Sequence, residues 1–318
     1  MLYMFLKRFV VGPVVERVFR PEVEGLEHLP AGGGVILASN HLSFSDSVFL
    51  PVSVPRQVFF LAKSDYFTGR GLRGRATAAF FRGIQQIPMD RSGGSGSQAS
   101  LSAAAEALRQ GRVLGIYPEG TRSPDGRLYR PKLGVARLAL ESGVPVIPVA
   151  MVNTDGVQPI GARLPRRRAQ DGRRIEPVRT VLGPPVDLSA YRDRGLGRAV
   201  QRAAADDIAA AIRELSGQEY VDVYASSVKS LMEKQRVADA KLAVAQLLER
   251  ARERTQATVE NARERTQATV ENARERTQAT VENARERTQA TVENAKERVR
   301  ELRHPGREDG GTGPERGR

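Results

Sequence analysis

The chain has 318 residues, with 50 Lys and Arg against 37 Asp and Glu, and a formal net charge of +13. It contains no Cys and only three His, which excludes disulfide scaffolds, iron–sulfur clusters, thiol nucleophiles and Cys- or His-rich metal cages. The excess charge lies in residues 1–219, which hold 30 basic and 20 acidic residues, so this part of the chain should meet an anionic partner.

Residues 1–21 are apolar but are interrupted by charges. No stretch of the chain reaches the roughly 18 consecutive apolar residues of a spanning helix, and Gly12-Pro13 should kink or split a helix. We predict one or two amphipathic helices. They would lie in a membrane interface with their basic residues toward the headgroups, or pack on their own domain, and the sequence leaves both open.

Residues 22–219 are predicted to form an α/β domain with a central, mostly parallel sheet flanked by helices. Short apolar runs typical of buried strands alternate with helical stretches. The expected strands are 34–38, 58–62, 112–117 and 145–152, with a further short strand before residue 90. The expected helices are 45–50, 69–81, 98–110, 133–142 and 188–215.

Residues 220–303 are predicted to form one long helix, followed by a disordered tail at 304–318. The unit ARERTQATVEN occurs four times in tandem from residue 251 to residue 294. An 11-residue period is three helical turns, which keeps Ala, Thr and Val on one stripe. Three interpretations remain open: a loose coiled coil that allows self-association, a helix lying weakly on lipid, or a solvated helix held by Glu–Arg pairs.

His41 and Asp46 stand in the segment ASNHLSFSD, directly after the first expected strand. The carboxyl end of a strand is where α/β proteins build their sites. A carboxylate that accepts one imidazole N–H leaves the other nitrogen free as a base. This spacing alone is weak evidence, because a lone His is usually structural.

A second block, YPEGTRS at residues 117–123, follows the strand at 112–117. Gly120 would let backbone come close to a ligand, and the Arg122 guanidinium offers a bidentate fork for phosphate. Glu119 could fix Arg122 or the turn. The alternative is an ordinary β-turn with a surface ion pair.

Two looser blocks complete the pattern. Residues 83–91 (GIQQIPMDR) read as a short strand ending in Asp-Arg, and residues 144–150 (VPVIPVA) as an apolar strand with two prolines. Proline is disfavoured inside a sheet because it cannot donate to the ladder. We therefore expect this last strand at an edge or beside a groove.

Together the four blocks resemble those of the glycerophospholipid acyltransferase family, the type of the bacterial 1-acyl-glycerol-3-phosphate acyltransferases. They occur in the family's order and at similar separations, and the resemblance covers residues 1 to about 215. It implies that His41 is the general base for an acceptor hydroxyl, which attacks an acyl thioester, and that Asp46 orients His41. A free thiol leaves readily, so no covalent enzyme intermediate is implied.

The resemblance also implies three groups of binding residues. The expected phosphate-binding residues are Lys63, Glu119, Gly120, Thr121 and Arg122. The expected acceptor-binding residues are Gly83 and Arg91, in a block whose centre departs from the family pattern through Gln85, Gln86 and Met89. Pro148 belongs to the block tied to acyl-donor binding.

The resemblance implies transfer of an acyl chain from acyl-CoA or acyl-carrier protein to the sn-2 hydroxyl of lysophosphatidic acid, giving phosphatidic acid, with no metal and no bound cofactor. The alternatives are an acyltransferase for another lysolipid or a glycan lipid, or a non-catalytic lipid-binding scaffold. Basic patches at residues 56–91 and 163–179 each carry a net charge of +5, which favours docking on an anionic membrane from its cytoplasmic face. The patches could instead be solvated or attract substrate phosphates. Nucleic acid is the weaker candidate partner, since aromatics are only 5% and no binding motif is present.

Overall fold

The structure, a computed structural model, describes residues 2–89, 95–169 and 171–303. The chain divides into two compact units, one ending at Gln235 and the other beginning at Arg236. Arg91 and residues 304–318, on which predictions were made, lie outside the described residues.

Over the described residues, the helices follow the predicted order with additional short turns. They are α1 (Leu2–Phe5), α2 (Gly12–Phe19), α3 (Asp46–Ser53), α4 (Asp65–Thr68), α5 (Gly71–Gly83), α6 (Ser95–Arg109), α7 (Gly134–Ser142), α8 (Thr154–Val157), α9 (Arg198–Ser216) and α10 (Ala225–Arg303). A π-helical turn, Leu6–Val11, joins α1 to α2. The helix expected at 188–215 begins only at Arg198, because Gly195 has a φ of 70° and Gly197 is extended.

The strands are β1 (Glu22–Glu24), β2 (Val35–Ser39), β3 (Val58–Lys63), β4 (Ile87–Met89), β5 (Val113–Ile116), β6 (Leu128–Tyr129), β7 (Val146–Val152), β8 (Arg179–Leu182) and β9 (Tyr220–Val221). Among the described residues, seven of them form one sheet in the order β1-β8-β7-β2-β5-β3-β4. Only the β7–β8 pairing is antiparallel. The predicted mostly parallel α/β sheet is confirmed, while β1, β6, β8 and β9 were not predicted.

Both faces of the sheet are covered by helices, since alternate residues of each strand point to opposite sides. Ile36 of β2 packs with α6, α7 and α9, whereas its neighbour Leu37 packs with α2 and α3. Each face has its own apolar cluster, which explains why the central strands read as unbroken apolar runs. The resulting three-layer arrangement fixes the carboxyl edge of the parallel strands.

Strand β7 is not at an edge, so that part of the prediction for residues 144–150 was wrong. It lies between β2 and β8, and Pro148 is buried opposite Ala38. The Pro148 carbonyl accepts a bond of 2.9 Å from the Gly183 amide. Pro148 has no N–H and cannot return a bond to Gly183, but Gly183 lies just beyond the end of β8 at Leu182, so the gap falls at the end of this pairing.

The N-terminal helical stretch packs one face on its own domain. The Val58 amide donates to the Tyr3 hydroxyl at 3.1 Å, and the Lys7 ammonium donates to the Val54 carbonyl. Its other face exposes apolar side chains, namely Leu2, Met4, Phe5, Phe9, Val10 and Val14. Within the described ranges, none of the helices has both the length and the apolarity needed to cross a bilayer.

Helix α10 confirms the long helix predicted from the repeats, but it starts at Ala225 because residues 220–221 pair as β9 with β6. Every side chain from residue 236 to residue 300 is exposed. The Glu–Arg pairs of the third interpretation do not form: within the four repeats, which the structure describes throughout, no ion pair joins a glutamate to an arginine. The repeat in fact places glutamates four residues apart, as at Glu260 and Glu264, where like charges disfavour each other.

Candidate active site

Two loops meet at the carboxyl edge of the sheet. Residues 40–46 follow β2 and residues 117–123 follow β5, and these parallel strands are neighbours with Ala38 beside Ile116. Because parallel strands end at the same edge, the loops leave the sheet side by side. This brings the first two sequence blocks together.

His41 and Asp46 form the expected pair. The His41 Nδ1 lies 2.8 Å from Asp46 Oδ2, and the Asp46 side chain is completely buried. The same oxygen accepts the amides of Leu42 and Ser43, each at 2.8 Å. An oxygen that accepts two N–H donors is an acceptor for the ring as well, so Nδ1 carries the proton and Nε2 is the free base.

Tyr117 supports the imidazole from its face. The two rings are stacked with centroids 3.8 Å apart and an interplanar angle of 8°. The Tyr117 hydroxyl lies 3.1 Å from the Ser47 hydroxyl at the start of α3. Burial raises the pKa of Tyr117 well above its usual value, and the nearby Asp46 charge raises it further, so the phenol is neutral. Ring stacking therefore holds the imidazole plane without adding charge.

A glycine in β5 makes room for this stack. Phe60 of β3 is also stacked with Tyr117, with ring centroids 5.7 Å apart. A Cβ on Gly115 would lie only 2.4 Å from Phe60 Cε1. Any side chain at Gly115 would thus displace Phe60 and, through it, the ring beneath His41.

Glu119 holds the two loops together through their backbones. Its Oε1 accepts the His41 amide at 3.2 Å, and its Oε2 accepts the Tyr129 amide of β6 at 3.1 Å. Burial raises the pKa of Glu119 to about 8, against the two amide bonds, which lower it. Both carboxyl oxygens are occupied by backbone amides, so of the two alternatives from the sequence Glu119 fixes the turn and not Arg122. Its expected part in phosphate binding stays a prediction.

Arg122 stands beside His41 with its guanidinium unengaged. The next residue, Ser123, donates its amide to the His41 carbonyl at 2.7 Å. No described side chain or carbonyl pairs with the Arg122 guanidinium. Gly120 and Thr121 complete the turn, and Gly120 has a φ of 73°, a conformation that favours glycine.

Lys132 joins this turn although the sequence blocks did not include it. A Cβ on Gly120 would lie 3.1 Å from Lys132 Nζ, so the lysine side chain crosses the glycine directly. Its amide donates to the Pro118 carbonyl at 2.8 Å, which fixes its backbone to the loop. Among described residues the Lys132 ammonium also has no acidic partner. Two unpaired cations thus share one turn.

The His41 loop is anchored by residues far along the chain. Asn40 exchanges two bonds with the backbone of Met151 in β7, at 3.0 and 2.7 Å. Gln158 accepts hydrogen bonds from two hydroxyls: Ser43 donates to its backbone carbonyl at 2.7 Å and Ser45 to its side-chain Oε1 at 2.6 Å. Asn40 lies inside the first block, and only its buried position after a strand could have drawn attention to it.

Other predicted site residues lie apart from these contacts. Lys63 ends β3 and forms an exposed ion pair with Asp65. Gly83 lies against the N-terminal helix, where a Cβ would be 2.7 Å from Leu2 Cδ2. Pro148 lies inside the sheet beside Ala38. Among the described residues, none of these three shares a hydrogen bond or an ion pair with His41, and their binding roles stay predictions.

The arginines of the two basic patches fall into two groups, those whose side chains are bonded within the fold and those whose side chains are not. Arg56 donates to the carbonyls of Pro30 and Gly111, at 3.0 and 2.8 Å, and so serves the fold. Arg173 and Arg179 are paired with acidic side chains. Several arginines have side chains without a hydrogen-bond or ion-pair partner among the described residues, namely Arg70, Arg73, Arg75, Arg163, Arg167 and Arg174.

Residues 20–152 match the family model described as Acyltransferase. The match contains both loops of the candidate site and ends with β7.

Two curated relatives of this part of the chain share an enzyme name. The chain is 30% identical over 131 residues to the 1-acyl-sn-glycerol-3-phosphate acyltransferase of Bacillus subtilis, covering 41% of this chain and 61% of that protein. It is 30% identical over 145 residues to a chloroplastic 1-acyl-sn-glycerol-3-phosphate acyltransferase of Brassica napus. This match covers 45% of this chain and 40% of that protein. The chain therefore spans less than two thirds of the length of these relatives.

A solved structure is also similar. The 1-acyl-sn-glycerophosphate acyltransferase of Thermotoga maritima matches with a TM-score of 0.47 and 23% identity, covering 66% of this chain and 80% of that one.

Proposed function

We propose that the chain transfers an acyl group from acyl-CoA or acyl-carrier protein to the sn-2 hydroxyl of 1-acyl-glycerol-3-phosphate, giving phosphatidic acid. The observation that carries the proposal is the buried Asp46 held against His41, beside a loop with an unpaired Arg122. The curated relatives named for this reaction support the choice of acceptor.

In the proposed reaction, His41 Nε2 takes the proton of the acceptor hydroxyl as the oxygen attacks the thioester carbonyl. Asp46 stabilises the imidazolium that forms and keeps the ring in the tautomer that frees Nε2. The carbon–sulfur bond then breaks, and the imidazolium returns its proton to the departing thiolate. The thioester is a substrate, so this chemistry requires no resident cofactor.

The acceptor phosphate would bind at the turn formed by residues 119–122. Arg122 can offer a planar pair of donors, and Lys132 a point charge on the same turn. Both cations lack acidic partners in the described structure, which is the state that a phosphate site requires. A phosphate there would lie next to His41, because Ser123 is bonded to the His41 carbonyl.

The lipid substrates require a membrane surface, and we propose that the domain docks peripherally on the anionic cytoplasmic leaflet. Leu2 lies against Gly83 at the end of α5, so the N-terminal stretch and α5 adjoin each other. Around them Phe5, Phe9 and Leu72 are exposed, Leu72 by 86%. Unpaired arginines on α5 would each contribute about 1 kcal/mol near an anionic leaflet.

The test is a panel of acceptors given to the purified full chain with radiolabelled oleoyl-CoA, and separately with acyl-carrier protein as donor. Acceptors would be lysophosphatidic acid, lysophosphatidylcholine, lysophosphatidylethanolamine and monoacylglycerol, in vesicles of phosphatidylcholine and phosphatidylglycerol. We expect lysophosphatidic acid to give the highest turnover, with phosphatidic acid as the product. Higher turnover with another acceptor would overturn the substrate assignment, and no turnover with any of them would overturn the enzyme assignment.

A further inference from the structure

The exposed surface of α10 separates its charges by face. With three turns per 11 residues, Val259 shares one face with Ala251 and Thr255, while Arg252 and Arg254 lie about 80° to either side of the centre of that face. Glutamates lie about 150–180° from the centre, on the opposite face. We call the first surface the arginine-flanked face. It is defined by the apolar side chains Val244, Leu247, Leu248, Val259, Val270, Val281, Val292 and Val299 and the flanking arginines of the four repeats.

The line of apolar side chains on this face extends beyond the four repeats at both ends. Val244, Leu247 and Leu248 fall at the repeat's Thr and Val positions one period earlier, and Val299 falls at a Thr position one period later. The repeat valines are 47–53% exposed, and Leu247 and Leu248 are 63% and 60% exposed. Leu242 is the exposed leucine of this segment that lies off the face.

The hydroxyl groups of the threonines on this face are already hydrogen-bonded within the helix. Every Thr of the four repeats donates its hydroxyl to the carbonyl four residues earlier, as Thr255 does to Ala251 at 2.9 Å and Thr258 to Arg254 at 2.7 Å. The hydroxyl is therefore turned toward the helix backbone. The face is less polar than its composition suggests.

The arginines that flank the face are available to an anionic partner. No arginine of the four repeats is ion-paired in the described structure. The glutamates that neutralise the net charge of each unit lie on the far side of the helix. The flanks therefore present two rows of unshared positive charge along an apolar line.

We propose that the arginine-flanked face binds an anionic lipid surface, with the apolar line in the headgroup boundary, both arginine rows at lipid phosphates and the glutamates in water. A second copy of the helix fits less well. Whether two such faces meet parallel or antiparallel, arginine rows oppose arginine rows, and no glutamate lies at the flanks to pair with them. A polynucleotide could meet the arginines but would leave the apolar line in water. The proposal concerns residues from Arg236 onward and does not depend on the reaction proposed at His41.

The absence of Cys allows a single reporter to be placed on each face of the full chain. We would attach a nitroxide to Val270→Cys on the arginine-flanked face and, as the matched control, to Ala268→Cys on the opposite face. Spectra and oxygen accessibility would be recorded with vesicles of phosphatidylcholine alone and of phosphatidylcholine with an equal amount of phosphatidylglycerol. We expect the label at 270 to become immersed only on the anionic vesicles, and the label at 268 to stay in water.

Equal immersion of both labels, or of neither, would overturn the proposal. So would dipolar broadening at residue 270 that persists on anionic vesicles without immersion, since this identifies a second copy as the partner. The two labels report only on α10, so docking of the catalytic domain cannot produce the expected difference between them. Binding of polyuridylate by the labelled chain, without immersion of the label at residue 270 on anionic vesicles, would point to nucleic acid and would also overturn the proposal.

Charge variants test the flanks separately from the apolar line. Arg252, Arg263, Arg274 and Arg285 would all be changed to Gln, and the control would change Glu253, Glu264, Glu275 and Glu286 to Gln. With the label at residue 270, the arginine variant should lose at least about tenfold in vesicle partitioning. The glutamate variant should partition as well as the parent or better, and equal losses in both variants would contradict the proposal. Circular dichroism would verify that both variants remain helical.

Discussion

The two loops at the sheet edge and helix α10 use opposite ways of presenting charge. In the loops, His41 is held through its ring, amide and carbonyl by Asp46, Glu119 and Ser123. In α10 the arginines of the repeats contact no acidic group, and every side chain from residue 236 to residue 300 is exposed. The loops fix the position of one imidazole, whereas the helix repeats one modest surface many times.

This difference has an energetic consequence. A single change in the loops removes a buried contact that nothing else replaces, and such changes typically cost several kcal/mol. A single change in one of the four repeats alters a quarter or less of the arginine-flanked face. Substitutions should therefore have large local effects in the first region and small cumulative effects in the second.

The largest effect should come from Asp46→Asn. The amide loses the charge that stabilises the imidazolium and can present its NH₂ to the backbone donors of residues 42 and 43. We expect kcat to fall about 10²- to 10⁴-fold. The matched change in the repeat helix, Glu264→Gln, should leave kcat unchanged, and a similar loss in both variants would erase the distinction between the regions.

The pH dependence of stability should reveal the buried carboxyl of Glu119. Its pKa is about 8 in the fold, above the ordinary value of 4.5, so the folded state binds the proton more tightly than the unfolded state. The resulting stabilisation is complete below about pH 4.5 and disappears as the pH rises through 8. The free energy of unfolding of the parent relative to Glu119→Gln should decline by up to a few kcal/mol across this window.

Urea unfolding of both proteins at several pH values would measure that decline. A difference that does not change with pH would contradict the raised pKa.

Arg122→Gln should weaken binding of the phosphate-bearing acceptor and leave the chemical step unchanged. Removing a charged donor from a phosphate contact costs about 1.5–3 kcal/mol, so KM for lysophosphatidic acid should rise roughly 10- to 100-fold. Turnover of monoacylglycerol, which lacks the phosphate, should be unaffected. Equal losses with both acceptors would show that Arg122 supports the loop and not the phosphate.

The smallest effect should come from Gly115→Ala. The new methyl group would collide with Phe60, at a cost of about 1–3 kcal/mol in stability. Because Phe60 packs on Tyr117, the change should also lower kcat. The control is Gly32→Ala, where a Cβ meets nothing within 4 Å. Thermal unfolding and initial rates would be compared, and equal behaviour of the two variants would contradict the packing role.

Local patterns in the sequence predicted the parts of the fold that depend on neighbouring residues. The apolar runs located β2, β3, β5 and β7, and the 11-residue period located α10. The H-x4-D spacing placed Asp46 within reach of the imidazole of His41, since both lie in one turn after a strand. The block at residues 117–123 stood out because it too directly follows an expected strand.

Contacts between distant residues could not be predicted in this way. The carboxyl of Glu119 binds the amide of His41, 78 residues away, and Asn40 binds Met151, 111 residues away. The interior position of β7 depends on β8, a short strand without a clear apolar run. Lys132 reaches Gly120 only because the chain turns back through β6, and nothing in the sequence blocks indicates that approach.

The central claim is that His41 acts as the base of an acyl transfer. The most direct test measures phosphatidic acid formed from lysophosphatidic acid and oleoyl-CoA by the purified parent, His41→Ala and His28→Ala. His28 lies in the short turn Leu26–His28 that follows β1, outside both loops of the site, and serves as the matched histidine control. We predict that His28→Ala keeps the parental rate and that His41→Ala loses about 10²- to 10⁴-fold. A parental rate in His41→Ala would contradict the account.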